Sequence, residues 1–572
     1  MAYRVPMDDM TAFADLAGQA ALAETDRFAE ATPETRAAIL TEAARLAEDV
    51  IAPLDRAGDT HPARLENGVV RCPPGFAEGY RAIAEGGWVG LPADPEHGGM
   101  GLPQSYAVMV NEMLAAACLS LSLCPLLSQG QIEAIEAHGS EELKRVYLPK
   151  LVSGAWTGTM NLSEPQAGSD VGAIACRAEP LGDGTYAIRG EKIWISFGDH
   201  DLAENVVHLV LARLPDGAPG TKGISLFAVP KFLPDAEGNP GARNALRAAR
   251  LEEKLGLHGS PTCVMEYDGA TGWLVGPPHG GMAAMFTMMN NARLGVGIEG
   301  VAIAEAATQK AAAFAADRRQ GRTADGSAAI IGHADVRRML MTMKAETQAA
   351  RAICYDCAVS IDLARAAADA ETRARHAGRA AFLTPIAKAF GTETGIRTAE
   401  TGLQIHGGVG YVEETGVAQL YRDVRVTAIY EGTNGVQAMD LVGRKLAMDE
   451  GATAEALLDE VQATADALAE AGEAELARLL AAARSKAGGV TRWMLDATEM
   501  NDRFAGAVPY LRMMALTLGA HSLARAALRD PERRPLAAFF LAQCLPRAHA
   551  DAQAATQGAA PLYALDAERL TA

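Results

Sequence analysis

The periodicity of the chain changes twice, and these changes constrain its fold more than any other feature. From about residue 10 to 150, apolar residues recur at spacings of three and four, as over 35–51 and in Tyr106, Met109, Val110, Met113 and Leu114. That is the helical period. A proline- and glycine-rich loop at 90–99 divides these helices. Near Trp156 short alternating segments begin, at 186–189, 192–195 and 206–211, separated by Gly182-Asp183-Gly184 and Pro215-Asp216-Gly217. They predict a small antiparallel β domain ending near Gly276-Pro277-Pro278. Helical periodicity returns at Gly281 and holds to about 445, and an Ala-, Leu- and Glu-rich helical block follows over about 450–550. No fixed-period repeat interrupts it. The expected fold is mainly α with a β insert, in four segments: 1–155 helical, 156–276 β, 277–446 helical and 447–572 a helical extension.

At 572 residues the chain exceeds one core, and its 49% hydrophobic content can fill several. A net charge of −19 argues against a nucleic-acid partner, because an acidic surface repels a phosphate backbone. Cys354 and Cys357 form a C-x-x-C inside an alanine-rich helical run. They read as two small apolar residues one turn apart, and the scattered cysteines as reduced thiols. The start shows no apolar signal core and the end neither a peroxisomal nor an anchoring signal, so a cytoplasmic location is expected. The uncharged stretch 113–132 contains Pro125 and several polar residues, and reads as a buried helix pair, not a membrane span.

Several motifs carry chemistry. Gly295-Val296-Gly297-Ile298-Glu299-Gly300 matches a dinucleotide fingerprint, but helix precedes it where that fingerprint needs a strand. Close helix approach explains its glycines better. The run Asn161-Leu162-Ser163-Glu164-Pro165-Gln166-Ala167-Gly168-Ser169-Asp170 suits a loop whose backbone N–H groups face a polar ligand. Trp194-Ile195-Ser196 then puts an aromatic face and a hydroxyl on a strand, where they could wall a flat ring. Glu431 stands in Tyr430-Glu431-Gly432-Thr433; a glutamate in an apolar pocket resists ionising and becomes a usable general base, but taken alone these four residues read rather as a turn with a solvated Glu. Met282, Met285, Met288 and Met289 recur at helical spacing and read as core packing before pocket lining.

Together with Asp317-Arg318-Arg319-Gln320-Gly321-Arg322 and Gln404-Ile405-His406-Gly407-Gly408-Val409-Gly410-Tyr411, these segments resemble the acyl-CoA dehydrogenase flavoproteins over about residues 35–445. The resemblance implies an N-terminal helical domain, a middle β domain, a C-terminal four-helix bundle and FAD held between the last two. It implies that Met160, Leu162 and Ser163 face the flavin, with Ser169 at the flavin–CoA edge. Trp194 and Ser196 would flank the isoalloxazine and Thr433 would contact the FAD. Arg318, Gln320, Gln404 and Gly408 would reach the pyrophosphate and adenosine of a partner subunit, although Arg318-Arg319-Gln320-Gly321 is one residue shorter than the usual motif and lacks its Phe.

The implied reaction is α,β-dehydrogenation of an acyl-CoA to the trans-2-enoyl-CoA, with Glu431 as base. Asn290, Arg293, Gly432 and Ser169 would meet the substrate, and no metal is called for. Some relatives carry the base on the earlier helix, where this chain has Ala292. The runs 253–263 and 431–446 resemble a C-terminally extended subgroup that includes 3-methylmercaptopropionyl-CoA dehydrogenases of dimethylsulfoniopropionate breakdown. The implied substrate is then 3-methylthiopropanoyl-CoA, with straight-chain fatty acyl-CoAs as the alternative. The implied partners are an electron-transfer flavoprotein and a second copy of the chain. An acyl-CoA oxidase, or a DNA-binding repair flavoprotein with a basic face built from Arg478, Arg484, Lys486 and Arg492, are the competing readings.

Overall fold

A computed structural model describes residues 3–324, 326 and 328–572; Met1 and Ala2, with which the sequence begins, lie outside the described residues. The described residues form two compact units, one of 3–5 and 38–295 and the other of 6–37 and 296–572.

The first unit opens with helices and continues as a sheet. Helix α1 (Gln104–Ala117) is buried on nearly every side, α2 (Leu119–His138) follows after the extended residue Cys118, and α3 (Glu141–Val152) starts where Ser140 Oγ accepts from Leu143 N. The stretch 113–132 is thus a pair of buried helices, and among the described residues no helix is long and apolar enough to cross a membrane.

A seven-stranded sheet follows: β1 (Trp156–Asn161), β2 (Arg177–Pro180), β3 (Tyr186–Ser196), β4 (Asn205–Arg213), β5 (Ile224–Pro230), β6 (Leu246–Leu251) and β7 (Thr262–Val275). The order is β6-β7-β3-β2-β4-β1, with β5 paired to β7 and β4. Its core includes Ile188, Ile195, Val210, Phe227, Cys263 and Met265. The expected antiparallel sheet is in fact mixed. β1 runs parallel to β4, and β2 meets β4 in parallel at Arg177 and Arg213. Parallel neighbours need a long crossover, and residues 162–204 supply one that local alternation does not announce.

The second unit is helical. Helix α4 (Gly281–Asp317) enters it at Val296, followed by α5 (Ala334–Ala366), α6 (Ala370–His406) and the short α7 (Asn434–Asp440). The glycines of the false fingerprint let α4 and α6 approach. A Cβ on Gly297 would sit 2.7 Å from Ala387 O, and one on Gly300 would overlap Gly391 O. The extension adds α8 (Ala452–Glu470), α9 (Ala474–Asp496) and α10 (Met500–Arg529). Arg512 bonds Glu393 of α6 at 3.0 Å and Arg547 pairs with Glu346 of α5, so the extension and the bundle share one unit. Cys354 and Cys357 lie buried in α5, and all eight cysteines are free thiols.

Candidate active site

The loop after β1 is organised by a buried carboxylate. Glu164 Oε1 takes a hydrogen bond from Lys192 Nζ at 2.8 Å, and its two oxygens also accept from the N–H groups of Ala175 and Cys176. Lys192 donates as well to Leu162 O at 2.9 Å, while Ile193 N donates to Ser163 O at 2.9 Å. Leu162 and Ser163 are therefore laced to β3. At the strand's far end Thr159 Oγ1 donates to Ser196 O at 2.7 Å, which fixes Ser196 beside β1. Met160 lies in β1 and is nearly buried, whereas Ser169 is exposed.

Between Lys192 and Ile195 the ladder slips. Cys263 faces Ile195 and Met265 faces Lys192, so Ile193 and Trp194 together oppose the single residue Val264. Such a bulge re-aims a side chain. Trp194 sits there at φ 59° with 59% of its surface exposed. A left-handed backbone is costly for a bulky residue, and a large ring left in water gains little. Gly168 of the loop approaches the same ring, its Cβ position 3.8 Å away. A flat aromatic ligand stacked on Trp194 would cover this exposed ring.

Glu431 is held in the same unusual conformation, at φ 53°, followed by Gly432 at φ 84°. The turn around it is tied down on both sides. Lys388 of α6, fully buried, donates to Gly432 O at 2.8 Å and Asn434 Oδ1 at 2.9 Å. Gln437 Nε2 donates to Glu431 O at 3.3 Å, and Thr433 caps α7 by accepting from Val436 N at 3.2 Å. That leaves the Thr433 hydroxyl proton available to a ligand. Tyr430 points inward and donates to Glu299.

Arg318, Gln320, Gln404 and Gly408 gather at one end of the helical bundle, where Phe314 of α4 stacks on His406 of α6 at 4.3 Å. All four are exposed, and nothing lies within 4 Å of a Cβ placed on Gly408. Tyr411 is 92% exposed beside them. In α4, Arg293 is nearly buried, donates to Asn290 Oδ1 at 3.4 Å and lies over the Phe286 ring at 5.8 Å. Ala292 is buried, so no carboxylate stands at that helical position. Met285 and Met288 are fully buried, as core packing requires, whereas Met282 and Met289 are only half-buried. A cavity of about 560 Å³ in the helical unit, lined by residues such as Leu16, Arg379, Glu460 and Arg525, includes none of the predicted site residues.

Three residues escaped the sequence reading. Lys388 sits inside a long helix with no motif of its own, and Glu299 inside a motif already explained by its glycines. Gln131 of α2 is fully buried against Gly158 of β1, and neither atom of its amide is hydrogen-bonded among the described residues. Only its place in the uncharged stretch 113–132 sets it apart.

Family models match in chain order: acyl-CoA dehydrogenase N-terminal domain over 33–155, middle domain over 159–270 and C-terminal domain over 279–447, then acetyl-CoA dehydrogenase C-terminal like over 457–566. A 3-methylmercaptopropionyl-CoA dehydrogenase of Ruegeria pomeroyi is 46% identical over 522 residues, covering 90% of this chain and 89% of that protein. The chain belongs to the acyl-CoA dehydrogenase family. Like other acyl-CoA dehydrogenases it is an FAD-dependent oxidoreductase that introduces an α,β double bond into an acyl-CoA. A broad-specificity linear acyl-CoA dehydrogenase of Mycobacterium tuberculosis is 34% identical, covering 82% of this chain and 80% of its own length. The fold is shared with an acyl-CoA dehydrogenase of Bacillus anthracis solved with FAD, at TM-score 0.75 and 21% identity, over 93% of this chain and 89% of that one.

Proposed function

We propose that this acyl-CoA dehydrogenase oxidises 3-methylthiopropanoyl-CoA to 3-methylthioacryloyl-CoA, with Glu431 as the base. The substrate rests on one observation, the 46% identity to the Ruegeria pomeroyi enzyme along nearly its whole length. The base rests on the backbone, since a glutamate held at φ 53° by buried Lys388 and Gln437 is positioned at a conformational cost that function explains.

Glu431 takes a proton from Cα as a hydride leaves Cβ, and the substrate loses both with formation of the C=C bond. Bound FAD, held by the residues named below, would supply the hydride acceptor. An α-C–H beside a thioester is only weakly acidic, so donors must meet the carbonyl oxygen as negative charge grows there; each such donor is worth about 3–4 kcal/mol. Gly432 beside the base, together with Asn290, Arg293 and Ser169, is assigned to the thioester and CoA arm. Met160, Leu162, Ser163, Ser169, Trp194, Ser196 and Thr433 are assigned to the flavin. Arg318, Gln320, Gln404 and Gly408 are assigned to the diphosphate and adenosine of a partner copy. The exposed Tyr411, with Val409 and Val412, supports a homodimer at that end. An electron-transfer flavoprotein is the proposed electron acceptor, the cytoplasm the proposed compartment, and 1–155, 156–276, 277–446 and 447–572 the proposed domains.

Acids stand beside three of the four cations on which the DNA-binding reading rests. Arg478 pairs with Glu475, Arg484 with Glu455 and Asp459, and Arg492 with Glu455.

Anaerobic bleaching of the flavin absorbance tests the proposal, using 3-methylthiopropanoyl-CoA against straight acyl-CoAs of increasing length. The thioether substrate is expected to bleach fastest, and Glu431→Gln to abolish bleaching by all of them. Faster bleaching by longer straight chains would assign the enzyme to fatty acyl-CoAs instead.

A further inference from the structure

Glu299 is a carboxylic acid in the interior of the bundle, 2% exposed, in no ion pair among the described residues. Its Oε2 accepts from the Tyr430 hydroxyl, and its Oε1 accepts from nothing described. The charged and titratable groups facing it are Tyr430 and Glu431 from the turn and Lys388 from α6. The Lys388 ammonium is already committed to Gly432 O and Asn434 Oδ1. An ionised carboxylate with a bare oxygen in such a place is costly, so the resting form is neutral.

Resting on the reading of Glu431 as base, we infer that Glu299 acts through Tyr430 as a positioning residue. It fixes the turn that carries Glu431, and its proton is coupled to the charge on that base. Tyr430 immediately precedes Glu431, so anchoring its phenol in α4 restrains the left-handed residue that follows. The coupling is reciprocal. Negative charge on Glu431 favours the proton on Glu299, and loss of that proton would raise the proton affinity of Glu431. Burial pushes the Glu299 pKa up to about 8; the Tyr430 hydrogen bond opposes this, the Glu431 charge adds to it and Lys388 opposes it. When Glu431 receives the substrate's α-proton its charge vanishes, and part of what holds the Glu299 proton vanishes with it. A merely structural Glu299 would anchor Tyr430 and leave no titration in the reaction.

The test is the pH dependence of anaerobic flavin reduction by saturating 3-methylthiopropanoyl-CoA (or butanoyl-CoA, whichever reduces faster) in holoenzyme. The wild type is expected to show a step with a midpoint near pH 8, the reduction rate rising as Glu299 ionises and strengthens the base. Glu299→Gln is expected to lack that step. Tyr430→Phe, which removes a hydrogen bond that favours the ionised form, is expected to move it to higher pH. A second readout needs no turnover: the infrared band of a protonated carboxyl in resting enzyme should fade through the same window and be missing in Glu299→Gln. A Glu299→Gln profile superimposable on wild type, or an unchanged infrared band, overturns the inference. If Glu299→Gln does not fold, an unmoved midpoint in Tyr430→Phe overturns it instead. Glu431→Gln, run alongside, separates the two readings. Flavin reduction at the wild-type rate there would remove the base assignment, whereas its loss together with a flat comparison at Glu299 removes only the coupling.

Discussion

Lys192 and Glu164 are 0% and 4% exposed at their side chains and 2.8 Å apart. Their pairing ties the loop that carries Ser163 and Ser169 to β3. Removing one partner of such a pair leaves the other charge buried without compensation, at a cost of about 3–5 kcal/mol. Lys192→Met is therefore expected to lower stability by about that much near neutral pH, measured by chemical denaturation. The pH dependence has a definite sign. Burial raises the Glu164 pKa, but Lys192 and the backbone donors of Ala175 and Cys176 outweigh it and hold the pKa below the ordinary 4.5. A depressed carboxylate pKa gives stability that is present above about pH 4.5 and lost as pH falls through the folded value. The gap between Lys192→Met and wild type should thus narrow below pH 4.5. An equal gap at neutral and acid pH would mean that lost packing, not lost charge, sets the cost.

Helix α6 shows how small residues build the bundle. Gly391 carries no Cβ because one would overlap Gly297 O of α4, and a Cβ on Gly395 would lie 2.6 Å from Gly300 O. In an open helix Gly→Ala stabilises by about 0.5–1 kcal/mol. At Gly391 the backbone of α4 cannot give way as a flexible side chain would, so Gly391→Ala is expected to destabilise by about 1–3 kcal/mol. Gly489→Ala is the control, since nothing lies within 4 Å of its Cβ position, and it should stabilise. Denaturation midpoints moving in opposite directions check both. The reason those glycines are there was legible in the sequence, because a fingerprint without its strand has no phosphate to hold. The bulge at Trp194 was not legible: alternation predicts a strand through 192–195, and only pairing with β7 reveals that two residues face one. Glu299 was hidden for a related reason. It stood inside a motif already explained by its glycines, and its meaning depends on Tyr430, 131 positions away in sequence. Glu431 was singled out because Tyr430-Glu431-Gly432-Thr433 resembles a motif of the family, four residues that alone read as a turn with a solvated Glu, whereas buried Lys388 resembles any lysine in a helix.

Across the whole molecule the two units share a vulnerability to acid. His200 and His208 in the sheet unit and His521 in the helical unit are buried, and burial foremost, aided by nearby Lys231 for the first two and Arg525 for the third, pushes each pKa down to about 3. The hydrogen bonds agree for His200, whose Nδ1 accepts from Leu202 N at 3.1 Å and so cannot carry a proton. An unfolded chain would protonate these rings at about 6.5, the ordinary value for histidine. The folded pKa being the lower one, their contribution is complete above pH 6.5 and is lost as pH falls from there toward 3. Within that window each buried histidine removes about 1.4 kcal/mol of stability per pH unit. Unfolding free energy is therefore expected to decline from pH 6.5 downward, well before carboxylates such as Glu164 begin to protonate. Urea titrations at several pH values from neutral to 5 measure that slope. His521→Gln, which keeps a polar partner for Thr464, should make it shallower by the share of one histidine. A slope unchanged by that substitution would mean that the helical unit opens locally before His521 takes up its proton. The extension would then be the less stable part of its unit, despite the ion pairs of Arg512 with Glu393 and Arg547 with Glu346 that fasten it to the bundle.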